Sequence, residues 1–536
     1  MKLKNYLKNK CNITSTHIIF ITAAFLLVFG NLTFFVNVFG VYPVNRENIG
    51  FLISLVLLFT GANTLLLSLV CFRYTLKPVI ITILIVSSIA AYYMDSYNII
   101  IDSSMIHNIV KTDVNEALDL FSFRLVLYVV VIGILPSYLV YKVKVTHKPF
   151  MKETLSRIKL ILFTLVCMVA LVWVSSDYYA SFFREHKVLR SYANPGYYIY
   201  STTKYIRNYF KTDLAALKPI GGDAIIPVSD SQRELIIFVA GETARADRFS
   251  LNGYEKETNP LLEKEEVVSL TNFWSCGTST AISLPCMFSI YKADEFSNSK
   301  AQTTENVLDV LSKAGVNVLW LDNNSGSKGV ADRVLYKSYN SKEVNPICDA
   351  ECRDVGMLEA VQPYIDEHTQ GDILIVLHQM GTHGPAYYKR YPAEFRKFSP
   401  VCQTNELKDC TREELDNAYD NAILYTDYFL SRVINLLKQN KDQFETAMFY
   451  VSDHGESLGE NGLYLHGLPD FIAPDAQRHV PAILWFGMNF DDVNIDIIAA
   501  ERDKRYTHDN IFHTLLGFME INTSIYDKSM DILHNS

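Results

Sequence analysis

The sequence has no Lys/Arg-rich run interleaved with aromatic residues outside the segments that flank its apolar stretches, and its net charge is −9. A nucleic-acid surface needs a basic stripe, so that class of partner is set aside. No repeat of fixed period and no low-complexity tract occurs, which removes solenoids and flexible arrays from consideration. Long apolar runs are also missing from most of the chain: after about residue 180 the sequence is that of an ordinary charged globular protein. A chain of 536 residues with its apolar excess confined to one end reads as a membrane region followed by one large soluble domain.

The apolar excess lies in five stretches, Ile18–Val38, Phe51–Cys71, Pro78–Met94, Leu125–Tyr141 and Leu160–Ser176. A helix needs about 20 mostly apolar residues to cross the hydrocarbon core, and flanks such as Tyr92, Tyr93 and Trp173 extend the shorter stretches into the interface. A cleaved signal peptide accounts for the first stretch at most. The loops give the orientation. Lys2, Lys4, Lys8 and Lys10 precede the first stretch, Arg73 and Lys77 follow the second, and Lys142, Lys144, Lys148, Lys152, Arg157 and Lys159 follow the fourth. The third loop instead carries Asp95, Asp102, Asp113, Glu116 and Asp119 against Lys111. Basic loops therefore alternate, as the positive-inside rule requires, and an odd number of spans puts everything after Ser176 outside the cytoplasm. The expected organisation is a transmembrane domain over 1–178, interfacial helices and a linker over 179–231, and an extracytoplasmic domain over 232–536.

Cysteine usage fits an oxidising compartment. Cys11, Cys71 and Cys167 lie in or beside the apolar stretches, whereas the others fall in close pairs, Cys276/Cys286, Cys348/Cys352 and Cys402/Cys410. Such pairs read as disulfides. Cys348/Cys352 alone has the spacing of half a zinc site, without a His or second Cys pair beside it. Between Asp177 and Lys211 aromatic residues mix with Arg184, Lys187, Arg190, Lys204 and Arg207, a composition that suits the headgroup layer. Pro219–Ser231, with its Gly-Gly, is expected to be a loose hinge.

From Glu234 onward short β-branched runs alternate with helical patterns. The runs are Leu235–Ala240, Val316–Leu321, Ile373–His378, Ala447–Ser452 and Val480–Phe486. A helix is expected near Thr304–Ala314, closed by Gly315. A long one follows Thr411, where Thr411 and Glu414 form a capping box ahead of an apolar face of Ala418, Ala422, Tyr425, Phe429, Val433 and Leu436. Alternation of this kind implies an α/β domain with a mostly parallel sheet. Glu242, Asn323 with Asn324, His378 with His383, and Asp453 with His454 all lie where runs end, and ligands of open α/β sheets bind outside the carboxyl ends of the strands.

Carboxylates and an imidazole at strand tips suit zinc, and Gly241 and Gly455 let backbone approach closely. Asp453-His454 also fits a capping Asp beside a structural His. The segment Cys276-Gly-Thr-Ser-Thr-Ala-Ile-Ser-Leu-Pro-Cys286 shifts the balance. A disulfide there closes a tight loop of small hydroxylated residues, and a helix opening in that loop favours a phosphate or an alkoxide. A threonine hydroxyl is a poor nucleophile until a metal or base activates it. Spacing does not choose among Thr278, Ser279 and Thr280.

Taken together, Gly241-Glu242-Thr243, Cys276-Gly-Thr-Ser-Thr280, Asp322-Asn-Asn-Ser-Gly-Ser-Lys328-Gly, His378-Gln-Met-Gly-Thr-His383-Gly-Pro and Asp453-His-Gly-Glu-Ser-Leu-Gly-Glu460 closely resemble the lipid A phosphoethanolamine transferases, including the mobile colistin-resistance enzymes, of the alkaline phosphatase/sulfatase superfamily. The resemblance runs over essentially the whole chain. It implies zinc ligands Glu242, Asp453 and His454, with Thr280 as both ligand and nucleophile. It also implies that Asn324, Lys328, His383 and His466 surround the transferred headgroup: Lys328 neutralises phosphate, and His383 and His466 protonate a leaving group or hold a second, weaker zinc. Glu456 is expected to face the ammonium. Asn108, Thr112 and Glu116 in the third loop resemble a polar lipid-headgroup site, four apart on one face of a short helix; a solvated face accounts for them equally. The Cys348/Cys352 pair is closer together than the resemblance implies.

The expected reaction is transfer of phosphoethanolamine from phosphatidylethanolamine to a lipid A phosphate by a monomeric enzyme, with resistance to polymyxins as its consequence. Transfer to a lipopolysaccharide core sugar is the alternative within the class, and Pro285-Cys-Met-Phe288 looks more like the lipid A branch. A lipoteichoic-acid-type polymerase or a membrane-anchored sulfatase would share topology and metal. A sulfatase carries Cys/Ser-x-Pro-x-Arg at its nucleophile, and nothing around Thr280 has that pattern.

Overall fold

The computed structural model describes residues 13–112, 114–146, 149–212, 216–228 and 232–534. Lys2, Lys4, Lys8, Lys10, Cys11, Asp113, Lys148, Ser231 and the side chain of Glu116 lie outside the described residues. The chain forms two compact units, one of 1–103 with 121–204 and one of 104–120 with 205–536.

The first unit is helical. Ile49–Val70, Leu76–Tyr97, Phe123–Lys142 and Phe150–Val174 are each long and apolar enough to cross a membrane. The first expected span is not straight: Ser15–Phe29 and Leu32–Val41 meet at 61°, and they make a fifth span if the pair counts as one. The break falls at Gly30–Asn31, and its freed backbone groups are satisfied within the unit. Asn31 Nδ2 donates to the carbonyls of Leu26 and Asn194 at 2.8 and 2.7 Å, and Asn194 Nδ2 donates to the Gly30 carbonyl at 2.9 Å. An irregular backbone at an apolar position requires such partners.

The second unit is built on an eight-stranded sheet in the order β10-β2-β9-β6-β1-β5-β3-β4. The strands are β1 Glu234–Gly241, β2 Val268–Trp274, β3 Asn317–Asp322, β4 Leu335–Ser338, β5 Ile373–His378, β6 Glu445–Ser452, β9 His479–Phe486 and β10 Tyr506–Thr507. A separate ribbon pairs β7 Ser457–Leu458 with β8 Tyr464–Leu465. All neighbours in the large sheet run parallel except β9, which is antiparallel to both β6 and β2. Two reversals restore direction, so β2 ends at the same edge as β1, β3, β5 and β6. The central strands β1, β5 and β6 are buried along their whole length, as strands covered on both faces must be.

Every expected strand is present; β2, β4, β7, β8 and β10 were not expected. The helix foreseen near Thr304 begins at Val307, because Asn306 forms a capping box with Asp309. It ends at Gly315, whose φ of 105° suits a residue without Cβ. The long helix runs Arg412–Gln439 behind the Thr411/Glu414 box, and its apolar face is buried except that Leu437 replaces Leu436 at the inner position. The stretch expected to be a loose hinge is instead fastened over 218–226. Ile220 N donates to Glu305 Oε2 at 2.9 Å, Ile225 bridges Asn522, and Ile220 joins the main core.

Candidate active site

Five strand ends meet at one edge of the sheet. Glu242 follows β1, the Cys276–Thr280 loop follows β2, Asn324 follows β3, His378 ends β5, and Asp453 and His454 follow β6. Glu242, Asp453 and His454 are fully buried, and each offers a ligand atom within 4.8 Å of the others. Thr280 opens the helix Thr280–Met287, after Ser279 in extended conformation. The Ser279 side chain does not cap that helix, so the positive end of its dipole is left facing the cluster. Thr280 Oγ1 lies 3.1 Å from Glu242 Oε2 and 3.3 Å from His454 Nε2. Thr278 is directed elsewhere: its hydroxyl donates to the Leu468 carbonyl at 2.7 Å.

Each member of the cluster is oriented by a further contact. Asp453 Oδ1 accepts from the amides of Thr243 and His454 at 3.2 and 2.7 Å. His454 Nδ1 donates to the Gly455 carbonyl at 3.0 Å, which leaves the Nε2 lone pair toward Glu242 and Thr280. Asn324 Nδ2 donates to Glu242 Oε2 at 2.8 Å. Gly455 is required by space, since a Cβ there would sit 2.1 Å from the Ala476 carbonyl oxygen. Burial pushes the Asp453 carboxyl above its ordinary value and the His454 imidazole well below its own. Asp453 Oδ2 is buried without a hydrogen bond of sound geometry. Two buried carboxylates, a neutral imidazole and a hydroxyl converging on one point form a donor set that fits a divalent cation with oxygen and nitrogen preference.

A second layer lies over the cluster. The His466 ring is 4.4 Å from that of His454 and 5.4 Å from that of His383. Glu456 is engaged on both oxygens, accepting from Tyr387 Oη at 2.6 Å and from His466 Nδ1 at 2.7 Å. In this arrangement Glu456 orients His466. Lys328 Nζ donates to the carbonyl and hydroxyl of Ser325 at 2.8 and 2.7 Å and to the Lys111 carbonyl at 3.2 Å.

Asn108, Thr112 and Glu116 do not share one helix. Ser103–Lys111 ends where both the amide and hydroxyl of Thr112 donate to the Asn108 carbonyl at 2.8 Å, and Glu116 belongs to the next helix, Val114–Asp119. The pairs Cys276–Cys286, Cys348–Cys352 and Cys402–Cys410 are all bonded. Sequence reasoning missed His508, which accepts from Cys276 N at 3.2 Å and donates to the Ser452 carbonyl at 3.1 Å. It thereby ties the Cys276–Thr280 loop to the end of β6. Its one signal is a lone His after a two-residue strand, too short to register as periodicity.

A mostly parallel sheet with a buried carboxylate, imidazole and hydroxyl cluster at its carboxyl edge defines the sulfatase class of fold, and residues 234–521 match the sulfatase family. Residues 59–210 match the phosphoethanolamine transferase EptA/EptB family. The chain is 44% identical over 512 residues to phosphatidylethanolamine transferase Mcr-1 of Escherichia coli, covering 93% of this chain and 94% of that one. It is 37% identical over 529 residues to phosphoethanolamine transferase EptA of Escherichia coli K12, covering 96% and 95%. The integral membrane lipooligosaccharide phosphoethanolamine transferase A of Neisseria meningitidis superimposes with a TM-score of 0.94 at 34% identity, over 98% of this chain and 99% of that one. The protein belongs to the EptA/Mcr family of phosphoethanolamine transferases, integral to the inner membrane with a periplasmic C-terminal domain.

Proposed function

We propose that the protein takes phosphoethanolamine from phosphatidylethanolamine onto Thr280 and passes it to a phosphate of lipid A. The observation that carries this reading is the Thr280 hydroxyl at a helix N-terminus, within 3.3 Å of both Glu242 and His454. Glu242, Asp453, His454 and Thr280 would hold a zinc ion, which when bound supplies positive charge that lowers the pKa of the hydroxyl and neutralises phosphoryl charge.

In the first half-reaction Thr280 Oγ1 forms a bond to the donor phosphorus and the bond from phosphorus to the diacylglycerol oxygen breaks. The proton lost from Thr280 is passed through His383 or His466 to that oxygen, so the half-reaction neither gains nor loses one. In the second half an acceptor phosphate oxygen attacks the same phosphorus, and Thr280 Oγ1 leaves and regains a proton. A covalent intermediate spares the site from holding two bulky lipids at once. Lys328 and the amides at the helix start offset phosphate charge, and Asn324 keeps Glu242 in place. The product carries an added ammonium, which weakens the attraction of cationic polymyxins. Mass spectrometry of lipid A from cells with and without the enzyme tests the reading: a phosphoethanolamine addition on a lipid A phosphate supports it, and addition confined to core sugar overturns the choice of acceptor.

A further inference from the structure

Residues 104–120, a loop between two membrane helices, belong to the same compact unit as the catalytic domain. They meet three loops around Thr280. Lys328 Nζ donates to the Lys111 carbonyl, and Met105 packs on Gly467 closely enough that a Cβ there would be 2.9 Å from Met105 Cε. Asp119 reaches the loop that carries His383. Its Oδ1 accepts from Lys389 Nζ and its Oδ2 from Arg390 Nη2, both at 2.6 Å.

Arg390 is the pivot of this contact. Its side chain is 2% exposed, and its nitrogens go to three separate segments. Nη2 donates to Asp119, Nη1 to Glu351, and Nε to the main-chain carbonyl of His383 at 2.6 Å. Glu351 lies inside the small loop closed by Cys348–Cys352, which gives that disulfide a local purpose. Burial disfavours the charged guanidinium, and the carboxylates of Glu351 and Asp119 more than offset it, holding its pKa above the ordinary value. Three fixed acceptors leave a planar fork one orientation. Removing Asp119 leaves the buried guanidinium held by Glu351 alone on its carboxylate side, so the fork is free to turn toward Glu351 and away from the His383 carbonyl.

We infer that Asp119 is a positioning residue of the catalytic site: it fixes the Arg390 guanidinium whose Nε holds the His383 carbonyl, and so sets the His383 imidazole beside His466. The inference rests on the reading of His383 as a group at the substrate. It gives the loop between the membrane helices a part in assembling the chemistry, since Asp119, Asn324, His383 and Arg390 line one cavity.

The test is turnover of the full-length protein in mixed micelles of phosphatidylethanolamine and lipid A. Asp119→Asn should lower kcat roughly tenfold or more, with KM changed by less than about twofold, because a displaced catalytic group costs rate more than binding. Asp119→Glu should recover most of the loss. Arg390→Lys keeps the charge beside Asp119 and Glu351 but has no Nε–H, so it should fall as far as Asp119→Asn; it decides the question alone if Asp119→Asn shows no thermal unfolding transition. In a His383→Ala background Asp119→Asn should add little, as coupled groups do. Wild-type kcat in folded Asp119→Asn, or effects that simply multiply with an inactivating His383→Ala, overturn the role of Asp119 alone. Normal turnover by His383→Ala overturns the reading of His383 together with this inference.

Discussion

Asn324 Nδ2 donates to Glu242 Oε2 at 2.8 Å and to the Gln379 carbonyl at 2.9 Å, so the loop after β3 sets the rotamer of a carboxylate at the end of β1. A partner that orients a metal ligand is worth about 10–100-fold in affinity. Asn324→Ala should therefore weaken zinc binding by about that factor, measured by competition with a chelator, while Glu242→Ala and Asp453→Ala should lose the metal altogether. Full turnover by a preparation shown to be free of metal would contradict the proposed chemistry of the cluster.

His508 joins the Cys276 amide to the Ser452 carbonyl with both ring nitrogens, and burial pushes its pKa from the ordinary 6.5 down to about 3. Between those values the unfolded chain binds the proton and the folded one does not. The contribution is thus fully present above pH 6.5 and is lost as pH falls toward 3, by at most about 1.4 kcal/mol per pH unit. His508→Gln keeps a donor and an acceptor without a titrating group, so thermal unfolding between pH 6.5 and 4 should show a shallower loss than the wild type. Identical slopes would remove His508 from the account.

The Cys276–Cys286 bond closes the loop that carries Thr280. For a loop of this length the chain-entropy model gives about 2–3 kcal/mol. Replacing both cysteines with serine should lower stability by about that amount and lower turnover further, because the loop leading into the Thr280 helix loses its tie to the last turn of that helix. Peptide mapping without reductant checks the pairing itself; free thiols at Cys276, Cys286, Cys402 and Cys410 in active enzyme would contradict both the pairing and the compartment.

Much of this was legible because the signals are local. β1, β3, β5, β6 and β9 are short apolar runs, rich in β-branched residues in β1 and β5, and their polar tips lie at or directly after their ends in sequence. The capping box at Thr411 and the Gly315 stop are each written in four residues or fewer. What escaped notice is set by tertiary pairing. β10 is two residues long, β2 carries a bulge between Leu270 and Phe273, and β4 has no fully buried position. The break at Gly30 depends on Asn194, and the grip on His383 depends on Asp119 meeting Arg390, 271 residues away. No periodicity encodes such a meeting.

The central claim is that Thr280 carries the transferred group. Its hydroxyl is buried with Glu242 and His454 at the start of a helix, and a phosphoryl ester at that position is the one step on which both halves of the reaction depend. Intact-protein mass spectrometry of the wild type incubated with phosphatidylethanolamine and no acceptor should show one added phosphoethanolamine, mapped to Thr280 and absent from Thr280→Ala. An adduct mapped to another residue, or lipid A modified at the normal rate by Thr280→Ala, would contradict the account.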